Sequence, residues 1–287
     1  MRYLCLCSVG VALLAWGPVT PVRAATAGLS LLPGRLEVEV KPGVQKTVSF
    51  QIESPPSDEP VQGRLLLNLT DWSLGEDGAM AFQDSGSVPT SAASWITFSP
   101  TAISISSGQK SMVRVTIDTP ADLRPGVYRA GIFVQERPPA AAPKKGDHNI
   151  MFRFRYMEVI YVIVQPVAAD PHLLDAGLLA AGKGFDLIYK MTNDGNGFVR
   201  PLITYSLKDG AGTTVREEKA HETTILLPGA KLAERIPLEG VAPGKYQLSV
   251  AADFRDDKPI QSMVRTIDIA AEAPAAAVTA APAPPKQ

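Results

Sequence analysis

The side chains that perform most enzymatic chemistry are few and scattered in this sequence. His148, His172 and His221 are its three histidines, and none has a second ligand at a spacing such as H-E-x-x-H. Each reads as a surface histidine. Asp253, Asp256 and Asp257 could gather a cation, but Arg255 and Lys258 interrupt them, and the segment reads as a solvated hairpin loop. Asn193 to Gly197 looks superficially like a calcium loop, yet it lacks the spaced carboxylates that calcium requires. There is no G-x-S-x-G elbow and no phosphate-cradling glycine loop. The triplet Asn68-Leu69-Thr70 fits a glycosylation acceptor but falls in a predicted strand. The chain reads as non-enzymatic, with no metal and no cofactor.

A different chemistry, strand recognition, is written into His148 to Tyr156. Ile150, Phe152, Phe154 and Tyr156 alternate onto one face, while Arg153 and Arg155 point to the other. The row follows Glu136 to Gly146, a stretch too rich in Pro and Ala for a sheet. A long loop before an edge strand with a large alternating apolar face is what β-strand addition uses. The same pattern also suits an inward-facing last strand of a sandwich, and an edge strand can serve its own core and a partner.

The elements that must carry this row are strands. Leu36, Val38 and Val40 alternate with Glu37 and Glu39 until the turn at Lys41-Pro42-Gly43; Val48, Phe50 and Ile52 alternate until Ser54-Pro55-Pro56. Leu65, Leu67 and Leu69, then Ile103/Ile105 and Met112 to Ile117, continue the period of two. Leu173 to Ala181 is the nearest approach to a helical stripe, and Gly177 and Gly182 weaken it. Short strands punctuated by turn residues predict an all-β fold of antiparallel sandwiches. A repeat predicts two of them. Pro125-Gly126-Val127-Tyr128 and Pro243-Gly244-Lys245-Tyr246 each follow a strand and open the next, with a hinge near Pro166 to Pro171.

Length and composition agree. The 287 residues suffice for two domains. Met1-Arg2, the apolar run Leu4 to Trp16 and Val22-Arg23-Ala24 form a secretory signal peptide, with cleavage expected after Ala24. The apolar run is too short to span a bilayer. Both cysteines, Cys5 and Cys7, would leave with it, so no disulfide is expected. Losing Arg2 and Arg23 takes the formal charge from −1 to −3, which gives no reason to expect nucleic acid or an anionic membrane as partner. The expected organisation is a signal peptide at 1–24, immunoglobulin-like sandwiches at 25–166 and 167–269, and a disordered Ala/Pro-rich tail at 270–287.

The stretches Gly108 to Val115, Pro125 to Tyr128 and Phe133 to Pro139, with the long loop behind them, resemble the periplasmic pilus-assembly (fimbrial) chaperones. The match covers roughly Gly108 to Pro166 well, and the second half only in general pattern. The resemblance implies two immunoglobulin-like domains, a periplasmic location, and pilin-like subunits as clients, with an outer-membrane usher as a further partner. It also implies donor-strand complementation, in which Phe152, Phe154 and Tyr156, with Ile150 as a fourth position, enter an incomplete subunit. Family members anchor the subunit's C-terminal carboxylate with an Arg on the first strand and a Lys on the donor strand. Arg35 stands near the first position, with a longer spacing to the following turn. Tyr161 stands where the Lys is expected, which leaves Arg153 or Arg155 as substitutes. A structural or adhesive envelope protein is the alternative reading.

Overall fold

The computed structural model describes residues 28–56, 62–137, 154–181, 184–255 and 258–269. The expected signal peptide, the tail, Ile150, Phe152, Arg153, His148 and most of the Pro/Ala-rich loop lie outside these residues. The first ten strands, in chain order, are β1 Ser30–Leu32, β2 Arg35–Val40, β3 Gln45–Glu53, β4 Gln62–Leu74, β5 Met80–Gln83, β6 Ile96–Ser99, β7 Ala102–Ser106, β8 Lys110–Asp118, β9 Gly126–Glu136 and β10 Arg155–Val164. The other seven are β11 Pro171–Ala181, β12 Gly184–Asn193, β13 Leu202–Asp209, β14 Thr214–Glu222, β15 Lys231–Leu238, β16 Gly244–Asp253 and β17 Gln261–Ile269. The only helical element among the described residues is a single 3-10 turn at Ala93–Trp95. The chain is all-β, and the weak helical stripe at Leu173 to Ala181 is strand β11.

The strands form four sheets in two sandwiches. The N-terminal sandwich pairs the sheet β1-β3-β8-β6 with the sheet β2-β10-β9-β4-β5, to which β7 adds along β4. The C-terminal sandwich pairs β11-β12-β15 with β14-β13-β16-β17. The period-two pattern decides which side chains are buried. In β2, Leu36, Val38 and Val40 enter the core, and Arg35, Glu37 and Glu39 face out. Phe50 and Ile52 of β3, Leu65 and Leu67 of β4, and Val113, Val115 and Ile117 of β8 complete the same core. A second core surrounds Leu187, Tyr189, Ile203, Leu248 and Phe254.

The Pro-Gly-x-Tyr repeat plays one structural role twice. Tyr128 donates its hydroxyl to the carbonyl of Arg124 at 3.1 Å, and Tyr246 donates to that of Ala242 at 2.7 Å. Both bonds reach back four residues, a tyrosine corner that fastens the start of a strand to the turn before it. Gly126 and Gly244 have matching φ angles, 157° and 156°.

The Asn193 to Gly197 turn clamps the chain between the sandwiches. Asn193 Oδ1 accepts from the amides of Asp170 and Gly195, and its Nδ2 donates to the carbonyls of Gly197 and Leu226. Asn196 accepts from the Ala168 amide and donates to the Pro166 carbonyl. A Cβ on Gly195 would lie 2.2 Å from the Ala168 oxygen, so only glycine allows this approach.

Candidate functional site: the two halves of strand β10

Strand β10 changes neighbours along its length. On one side it pairs with β9 throughout, from Arg155 opposite Gln135 to Val164 opposite Gly126. On the other it meets β2 in parallel, but only from Val159 opposite Arg35 onward. The cause lies in β1 and β2. They are successive pieces of one strand that leaves the first sheet at Pro33-Gly34 to join the second. Among the described residues, Arg155 to Glu158 therefore have no strand paired to their outer edge, the backbone feature that strand addition needs.

The alternation expected for this row continues into the structure, and its members have different fates. Phe154 is 49% exposed. Tyr156 is half-buried against the N-terminal core, and its hydroxyl accepts from the Leu29 amide at 3.1 Å. Glu158 follows on the same face and is fully buried. Ile160, Val162 and Val164 finish the row inside the core. Burial pushes the Glu158 carboxyl up to about 7, and among the described residues neither of its oxygens has a hydrogen-bond partner.

The opposite face of β10 looks toward the second sandwich. Tyr161 is packed edge-on to Trp72, with ring centroids 5.8 Å apart, and lies 5.2 Å from Phe198 of the C-terminal sandwich. Trp72, Val127, Tyr161 and Leu227 are buried together, with Met157, Val159, Ile163 and Ile225 packed around them. Trp72 Nε1 donates to the Ala130 carbonyl at 3.3 Å. Arg200 reaches this cluster from the C-terminal sandwich, 4.8 Å from the Phe198 ring and 5.7 Å from the Tyr161 ring. Its guanidinium pairs with Glu37 at 2.7 Å, and Arg35 Nε donates to the same Glu37 oxygen at 2.9 Å. Burial raises the Tyr161 phenol, and Arg200 partly offsets the rise.

Of the three expected cations, Arg35 stands at this cleft, beside the open end of β10. Arg155 lies four residues up the strand from Val159, roughly 13 Å at ~3.3 Å per residue. It is occupied there, with its guanidinium 4.6 Å from the Phe133 ring and Nε bonded to Gln135. Two arginines that the sequence alone does not single out stand beside Tyr161: Arg200, and Arg129, its cross-strand neighbour on β9. His172 faces Asp170 at 3.3 Å on the surface, and His221 faces Glu218 at 3.6 Å. Among the described residues no three metal-ligating side chains come together.

No protein-family model matches the chain, and no curated protein matches it. Solved structures do. The YadV chaperone is 13% identical, with 83% of this chain and 99% of that chain covered and a TM-score of 0.44. The E. coli chaperone DraB is 17% identical, with 82% and 96% covered and a TM-score of 0.38. A chaperone-tip adhesin complex of CFA/I fimbriae is 10% identical, with 85% and 100% covered and a TM-score of 0.42.

Proposed function

We propose that this protein is an exported, periplasmic chaperone or assembly factor. It holds incomplete, pilin-like β-sandwich subunits by lending them strand β10. The observation that carries the reading is the open edge at Arg155 to Glu158, with Phe154 exposed beside it. The motif resemblance over Gly108 to Pro166 points the same way. In this reading cleavage follows Ala24, the two immunoglobulin-like domains run over 25–166 and 167–269, and an outer-membrane usher is a further partner. Ile150, Phe152, Phe154 and Tyr156 fill the subunit's groove. Each large apolar side chain buried there is worth about 1.5–3 kcal/mol. Arg35 and Arg200 together receive the subunit's terminal carboxylate, displacing Glu37, so Arg200 supplies the cation that Tyr161 cannot.

One observation favours the alternative, a structural or adhesive envelope protein: Tyr156 already packs into its own core. The test separates the two. The full exported chain is mixed with a refolding pilin-type subunit that lacks its last strand, and complex formation is followed by gel filtration. The chaperone reading expects a stable one-to-one complex that Phe154→Asp abolishes while the variant stays folded. No complex with the wild-type chain, or equal complex with Phe154→Asp, leaves the structural reading.

A further inference from the structure

The buried carboxyl of Glu158 has no part in either reading so far. It sits where β10 passes from an open edge to a paired one. With Arg35 opposite Val159 in a parallel ladder, the register brings Gly34, in the crossover from β1 to β2, beside Glu158. The preceding segment, Leu29 to Leu32, lies against the same half of β10. Leu29 and Leu31 pack on the core, and the Leu29 amide is bonded to Tyr156. This segment acts as a strap over the half of the strand that β2 leaves unpaired.

Among the described residues, no opposite charge pairs with Glu158. The core-facing rows are Ala130, Ile132 and Val134 on β9, Phe50 and Ile52 on β3, Leu65 and Leu67 on β4, and Leu31 on β1. Glu136 ends the β9 row, but it is exposed at the rim. Asp71 of β4 is buried on the core-facing parity of its strand, where its carboxylate accepts from the Val88 amide and the Ser91 hydroxyl. The other charged groups of the neighbouring strands take the outward-facing positions. Arg35 and Glu37 do so on β2, Arg129 on β9, Arg155 on β10, and Lys110 and Arg114 on β8. Glu53 of β3 is paired to Lys110 at 2.7 Å. A carboxylate sealed in such a place without a donor is strongly disfavoured, so the sealed form is the protonated one.

We infer that Glu158 couples opening of the Leu29 to Leu32 strap, and with it the release of Tyr156 to a partner strand, to loss of a proton. Tyr156 cannot fill a partner's groove while its ring stays in its own core and its hydroxyl holds Leu29. Freeing it lifts the strap and admits water to Glu158, which then ionises. Low pH holds the strap shut, and rising pH opens it. This regulation rests on the proposed strand-lending role, but the closing of the strap is testable without any partner.

The experiment is amide hydrogen exchange on the full exported chain between pH 4.5 and 8, corrected for the intrinsic pH dependence of exchange. Leu29 to Leu32 are the reporters. The opening constant should rise about tenfold per pH unit between the solution value near 4.5 and the buried value of about 7, roughly 300-fold in all, then level off. Glu158→Gln, the same size and uncharged, should flatten this profile and keep the strap closed at pH 8. A strap protection independent of pH in the wild-type chain, or the same slope in Glu158→Gln, overturns the inference. Neither result bears on whether Phe154 is needed for capture, so failure here is distinct from failure of the chaperone reading.

Discussion

The two halves of β10 share one sequence rule and obey different physics. From Val159 to Val164 the strand is bonded on both sides, and Ile160, Val162 and Val164 are almost wholly buried. From Arg155 to Glu158 it is bonded on one side, and its apolar row runs from half-exposed Phe154 to half-buried Tyr156. Alternation alone does not distinguish the halves. What does is where β2 arrives, which the strand switch at Pro33-Gly34 determines. The row is wholly buried where β2 covers its edge, and it reaches the surface at Phe154 where β2 does not.

The largest effect expected from this contrast is in the covered half. Ile160→Asp places an unpaired charge in a filled core and should cost more than about 4 kcal/mol, enough to unfold the N-terminal sandwich. Thermal melting of the variant checks this, and a stable Ile160→Asp would erase the distinction between the halves. At the boundary, the sign of the pH dependence is set by Glu158, which holds its proton up to about 7 in the folded chain and loses it near 4.5 when unfolded. Its contribution is therefore most favourable below pH 4.5, falls as pH rises to 7, and is flat above. Over that window the loss amounts to about 3 kcal/mol. Urea unfolding at pH 5 and pH 7.5 should show Glu158→Gln gaining on the wild-type chain as pH rises.

Smaller effects sharpen the open half. Tyr156→Phe removes the acceptor of the Leu29 amide and keeps the ring, so it should cost about 1 kcal/mol and loosen the strap, read by urea unfolding. Phe154→Asp changes an exposed side chain and should stay within about 0.5 kcal/mol of the wild-type stability. A large loss there would mean that Phe154 belongs to the core after all.

Much of the sandwich could be read from the sequence because burial follows parity. Leu36, Val38, Val40, Phe50, Ile52, Leu65 and Leu67 are buried as their alternation requires. The Pro-Gly-x-Tyr repeat was equally legible, since a corner is made within five residues. Contacts between distant segments were not. Arg200 lies 163 residues from Glu37 in the chain, and nothing local marks it as that residue's partner or as a neighbour of Tyr161. Glu158 lies two residues beyond the alternating row that ends at Tyr156 in the sequence, and the row gives no sign that it is buried. Its burial depends on where a distant strand crosses over, which no local pattern records.

The account's central claim is that β10 lends its first half and keeps its second. Hydrogen exchange of the β10 amides, with and without a pilin-type subunit lacking its last strand, tests it most directly. The account predicts that Arg155 to Glu158 gain strong protection in the complex while Val159 to Val164 stay as protected as in the free chain. A complex that leaves Arg155 to Glu158 exchanging as before, with new protection elsewhere, would contradict it.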